Sequence, residues 1–140
     1  MKILEVATNV WHEVTIEEVR PEDLKKLTAK RYFFKWQDCI GQAKIFKLRI
    51  SLENDIKGLI ALVDFPTECR IHIPLLTASK ENVVLKREKG KKQKEFDEII
   101  GNLIAFAGQQ AMLKYGMREA GPHLYLLFEQ INNLTKKYII

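Results

Sequence analysis

"KIFKLRISLENDIKGLIALVDFPTECRIHIPLL", Lys44 to Leu76, is the stretch that decides the fold. In KIFKLRISL, Phe46, Leu48 and Ile50 alternate with Lys47 and Arg49, the period-two pattern of a strand with one face toward a core. KGLIALVDF is apolar at both parities and reads as a strand buried on both faces. CRIHIPLL returns to alternation, with Ile71 and Ile73 opposite Arg70 and His72. Asn54-Asp55 and Pro66-Thr67 separate the runs as turns. Three consecutive antiparallel strands, the middle one doubly buried, is the simplest arrangement.

Working outward, HEVTIEEV (His12 to Val19) alternates and is rich in β-branched residues, which predicts a strand. RPEDLKKLTAK follows, with Pro21 suited to a first helical turn and Glu22 and Asp23 suited to its positive end, so a short helix is expected. Downstream, Asn102 is a good N-cap, and Leu103, Ile104, Phe106, Ala107, Ala111, Met112, Leu113 and Tyr115 fall at helical spacing before Gly116, a natural C-cap. HLYLLFE (His123 to Glu129) predicts a strand, and QINNLTKKY a short terminal helix. The expected order is β-α-β-β-β-α-β-α: an α/β (α+β) chain with a mixed, mostly antiparallel sheet flanked by helices. At 140 residues one domain, 1–140, accounts for the whole length.

Composition excludes several classes. Hydrophobic content of 46% and charged content of 29% are those of a folded protein. No run approaches the roughly 18 apolar residues of a membrane span, and the start lacks the features of a secretory signal, so a cytoplasmic protein without membrane contact is expected. Cys39 and Cys69 stand apart without ligand spacing, which gives no metal site. No phosphate-binding P-loop, Ser/His/Asp pattern or metalloprotease motif occurs. The net charge of +5 is concentrated in KREKGKKQK (Lys86 to Lys94), a local anion site or a solvated loop. KRYFFKW (Lys30 to Trp36) interleaves aromatics and lysines, which suits base stacking or a core edge. Without an RNA-binding signature or recognition helix, nucleic acid is not the expected partner.

Several short stretches together resemble the GNAT superfamily of N-acetyltransferases, and more closely a bacterial GNAT-like subgroup. They are FKWQ (34–37), FKLRI (46–50), IKGLIAL (56–62), RIHIPLL (70–76), IGNLIAFA (100–107) and LTKKY (134–138). The resemblance implies acetyl-CoA as cofactor and an amine as acceptor. By it, the pantetheine arm pairs with main chain at Ile73, Pro74 and Leu75. The pyrophosphate sits on the amides around Ile100, Gly101 and Asn102, with Lys92 and Lys94 reaching over the phosphates. Free N–H groups and the helix dipole favour an anion at such a turn. Tyr138 falls where the family has a proton donor to the departing thiolate, and His72 stands as the candidate base.

The sequence departs from the family's Q/R-x-x-G-x-G/A turn. Ending the motif at Gly101 puts Phe96 and Ile99 at its first two fixed positions, and ending it at Ile100 puts Glu95 and Glu98 there. Glu98 would repel a diphosphate. The connection from Thr77 to Ile100 reads as a long loop where the family has a short one. The family also continues with two more strands that wall the acceptor site, whereas this sequence stops at Ile140, so a second copy of the chain is a possible supplier of that wall. Two expectations follow: an acyl-CoA-dependent N-acetyltransferase with a degenerate pyrophosphate loop, or a catalytically inactive GNAT-like domain that binds a protein or a polyanion.

Overall fold

A computed structural model of the chain describes residues 1–85, 90, 92–116 and 138–139. The protein is α+β. Six antiparallel strands form one sheet: β1 (Lys2–Glu5), β2 (Val10–Glu18), β3 (Lys44–Ile50), β4 (Ile56–Phe65), β5 (Arg70–Ala78) and β7 (Phe96–Asp97). Their order across the sheet is β5-β4-β3-β2-β1-β7. The three strands expected between Lys44 and Leu76 pair as consecutive hairpin arms, with Phe46 opposite Ile60 and Ile60 opposite Leu76. The first seven residues of β4 are buried, as its apolar residues at both parities require. Pro74 lies on β5, the outer strand, next to a register shift between Ala61 and Val63. An outer strand or a bulge is where a residue without an N–H is tolerated.

Elsewhere the elements differ from the sequence reading. The expected helix after β2 is a 3-10 turn at Pro21–Lys26, followed by one α-helical turn, α1, at Ala29–Tyr32. Asp23 reaches back to the Arg20 N–H at 2.9 Å, and the Leu27 N–H bonds to the Leu24 carbonyl at 3.2 Å, closing three-residue steps. KILE at the start is a strand, β1, too short to show a period.

The connection from Thr77 to Ile100 is not a bare loop. It completes β5, makes a 3-10 turn at Lys80–Asn82, then β6 (Val84–Leu85) and β7. The long helix, α2, covers 99–116, so Asn102 lies inside its first turn and does not cap it. Glu98 is at the cap position, because its carbonyl accepts the Asn102 N–H at 3.1 Å. Gly116 ends the described helix with φ +75, as a C-cap glycine does. Met112 and Leu113, expected on the apolar stripe, are exposed, Leu113 at 82%. Tyr138–Ile139 is strand, β8, paired with β6, where a terminal helix was expected. β-branched Val84 and Ile139 are register partners in that pair, residue types that suit extended backbone. The strand expected at 123–129 and the rest of that terminal helix lie outside the described residues.

Two cores hold the sheet. On one face, Leu48, Ile60, Leu62, Ile73 and Leu76 pack against Ile99, Leu103 and Ala107 of α2. On the other, Ile45, Ile56, Leu59 and Ala61 pack against Leu27, Tyr32 and Trp36. The sheet curls until its two ends meet, where the Phe96 N–H of β7 donates to Asn82 Oδ1 at 2.6 Å, just beyond β5. No helix among the described residues is long and apolar enough to cross a membrane.

Candidate ligand cavity

The seam between the two ends of the sheet encloses a cavity of ≈ 130 Å³. Its floor is the end of β5, Leu76 to Ala78. One wall is β7 and the start of α2, from Phe96 to Gly101, and the other is Phe33 and Phe34. Asn82, Val83 and Lys94 complete it.

Each wall is fixed by packing behind it. Tyr32 and Trp36 are buried in the second core; the Tyr32 hydroxyl donates to the Ile56 carbonyl at 2.8 Å and the Trp36 indole N–H to the Tyr32 carbonyl at 3.0 Å. These anchors leave the two phenylalanines between them at the rim. Phe33 ends α1 in the left-handed region, φ 71, with its N–H on the Ala29 carbonyl. Across the cavity, Glu98 is also left-handed, φ 74. Only four described non-glycine residues adopt positive φ, and two of them line this one cavity. Such backbone costs of order 1–3 kcal/mol per residue and gathers at ligand clamps and active sites.

Glu98 thus holds the backbone conformation glycine favours. Glu98 Oε2 lies 3.1 Å from where a Cβ on Gly101 would sit, so the carboxylate folds against the first turn of α2.

The charges at the mouth are one lysine and two carboxylates. Lys94 Nζ pairs with Asp97 at 3.5 Å, and Asp97 Oδ1 accepts the Glu98 N–H at 2.9 Å. Behind Phe96 the Lys57 ammonium stands 4.9 Å from the ring centroid and pairs with Asp55 at 2.9 Å and Glu95 at 3.6 Å. Arg31 grips Asp55 with both terminal nitrogens and reaches Glu81 at 2.6 Å. The Arg31 hydrogen bonds pull the Asp55 carboxyl down to about 2 against its burial, with Lys57 helping. This network ties α1, β4 and the turn after β5 together around the cavity.

Of the residues expected to act, Ile100, Gly101 and Lys94 line the cavity. Asn102 turns away, its amide donating to the Lys2 and Glu98 carbonyls at 2.8 and 2.7 Å. Lys92 is exposed and outside the lining. Ile73 is buried in the first core, Leu75 packs against the second, and half-buried Pro74 lies between them on β5. His72 sits edge-on to Phe65, ring centroids 6.2 Å apart. Five strand steps separate it from Thr77, about 16 Å. Burial, and then Arg70, lower the His72 pKa, which favours the neutral imidazole a base needs. Tyr138 contributes main chain to β8 opposite Leu85.

Sequence reasoning missed Phe33, Phe34 and Phe96 as lining residues. KRYFFKW carried the signal, since two aromatics lie between the buried Tyr32 and Trp36. Among the described residues no group of three His, Cys, Asp or Glu side chains is placed to hold a metal ion. No protein-family model, curated protein or solved structure matches the chain.

Proposed function

We propose that the protein is a GNAT-like domain that acts by binding a ligand in the cavity between β5 and α2, without using acetyl-CoA for acyl transfer. The observation that carries this reading is Glu98. With the resembled turn laid to end at Ile100, its first glycine would fall at Glu98, which has a positive φ and a carboxylate folded against the helix end that a diphosphate would need. Asp97 adds a second negative charge beside it, and Lys94 is already engaged by Asp97. Two carboxylates at that distance disfavour a pyrophosphate. The volume, ≈ 130 Å³, suits a single small side chain or ring.

A second reading, acyl-CoA-dependent N-acetyl transfer to an amine, is supported by where the cavity lies. It joins the end of β5 to the first turn of α2, the two elements that the resemblance assigns to pantetheine and pyrophosphate. β5 is the end strand of the six-stranded sheet, the position the resemblance gives to the strand that pairs with pantetheine. In this reading His72 is the base and Tyr138 the proton donor.

Thermal melts with acetyl-CoA separate the two. For the wild type the binding reading expects no shift and no transfer to an amine mixture, and for Glu98→Gly it expects a rise with acetyl-CoA. A ligand at a hundred times its dissociation constant adds about 2.7 kcal/mol. A wild-type rise accompanied by acetylated amine products overturns the binding reading in favour of the second.

A further inference from the structure

Resting on the reading that the cavity is a ligand site, the ligand's chemical class follows from its walls. We propose that the cavity takes an organic ammonium group, an alkyl- or arylmethyl-amine in its protonated form. Phe33 and Phe34 line one wall at the rim, and Phe96, whose ring already carries the Lys57 ammonium at 4.9 Å, belongs to the opposite wall. Aromatic faces attract a cation through the ring quadrupole, most strongly where water is excluded. At the same mouth Lys94 is matched by Asp97 at 3.5 Å, while Glu98 makes no ion pair among the described residues. The positive end of α2 carries about half an elementary charge, which partly offsets Glu98 but does not reverse it. The sum of these groups is negative, so a cation is favoured over an anion of the same shape.

Size narrows the class further. An apolar cavity of about 150 Å³ accommodates benzene, so ≈ 130 Å³ holds a hydrocarbon body of about that size or slightly smaller. The ammonium then sits at the mouth near Glu98, and the hydrocarbon lies over Leu76 and Ala78. A primary-amine side chain of lysine length fits the same description. Burying an ammonium is costly unless it is paired, and the carboxylate supplies the pair.

The test is an NMR titration of the full chain at neutral pH and low salt with three near-isosteric probes: benzylamine, benzyl alcohol and benzoate. Expected are shifts of the amides at 33–34 and 96–101, with benzylamine about tenfold tighter than benzoate, a gap worth about 1.4 kcal/mol, and the alcohol between them. Glu98→Gln, a substitution at an exposed side chain, should narrow that gap several-fold without changing the fold. If benzoate or the alcohol binds as tightly as benzylamine, or if Glu98→Gln leaves the gap intact, the ammonium assignment is wrong while the cavity still binds. If no probe shifts those amides, both the assignment and the ligand reading fail.

Discussion

Ile99 lies over Gly58 so closely that a Cβ built on the glycine would come within 2.7 Å of Ile99 Cγ2, with Leu103 Cδ1 at 3.1 Å and the Thr77 carbonyl at 3.2 Å. The first turn of α2 therefore rests on bare backbone of β4, and this contact sets the height of the helix end beside the cavity. Gly58→Ala should destabilise the protein by about 1–3 kcal/mol, the usual cost of forcing an extra methyl into a packed interior. Denaturant melts check this. Because the clash is with Ile99 Cγ2, the double variant Gly58→Ala with Ile99→Ala, which removes that methyl, should lose less than the sum of the two single changes. Strict additivity would mean that the helix moves as a body and the pair is not in tight contact.

Glu98→Gly should make the protein more stable. The left-handed backbone at Glu98 is strained by a side chain, at of order 1–3 kcal/mol, while glycine returns about 0.5–1 kcal/mol of that to the unfolded chain. A net gain of about 1 kcal/mol is expected. Glu98→Ala keeps the strained conformation and should show no gain. If both variants melt alike, the turn does not store strain at this residue.

Lys47 and Asp23 form a nearly closed-off ion pair, Nζ to Oδ2 2.7 Å, with the residues 6% and 4% exposed and Glu17 at 3.6 Å from the same ammonium. Burial raises the Asp23 carboxyl, but the Lys47 hydrogen bond and the Arg20 N–H outweigh it and hold it below its ordinary value. Lys47→Met leaves that carboxylate without its ammonium and should cost about 3–5 kcal/mol. Adding Asp23→Leu to Lys47→Met should recover much of the loss in chemical denaturation, since an apolar pair needs no desolvation. A double variant as unstable as Lys47→Met alone would show that Asp23 matters chiefly as the brace of the 3-10 turn.

The Asp55 carboxyl gives a pH signature. Its folded pKa, about 2, is depressed from 3.8, chiefly by the Arg31 hydrogen bonds and then by Lys57. A depressed carboxylate contributes stability above its unfolded pKa that is lost as pH falls through the folded one. Arg31→Leu should therefore be less stable than wild type at pH 5. The gap should shrink steadily between pH 4 and pH 2, followed by stability measurements in urea. A gap that stays constant over that range would assign the effect of Arg31 to packing over the Tyr32 ring, 5.3 Å away.

Local pattern carried the reading of the sheet. The alternation at Phe46, Leu48 and Ile50, and the double-sided apolar run of β4, give strands because side chains alternate across an extended backbone whatever the rest of the chain does. The stripe at Leu103, Ala107 and Ala111 likewise fixed the buried face of α2. Where the signal is short it failed, as in four-residue β1 and two-residue β7, which are strands only because a neighbour supplies hydrogen bonds. The start of α2 was misplaced at Asn102 because that asparagine has the chemistry of a cap. Tertiary contact decided otherwise, by packing Ile99 onto Gly58 and turning Asn102 toward the Lys2 carbonyl.

The sequence by itself determined the antiparallel strands, the helix and the absence of a recognisable phosphate loop, since each is written within a dozen neighbouring residues. The cavity was decided only by the tertiary structure. Its walls come from four separate stretches, at 33–34, 76–78, 82–83 and 94–101, and they meet because the sheet curls until Asn82 hydrogen-bonds β7. Left-handed backbone at Phe33 and Glu98 is invisible in residue type, because neither side chain favours it. It persists because the packed residues on either side over-determine it.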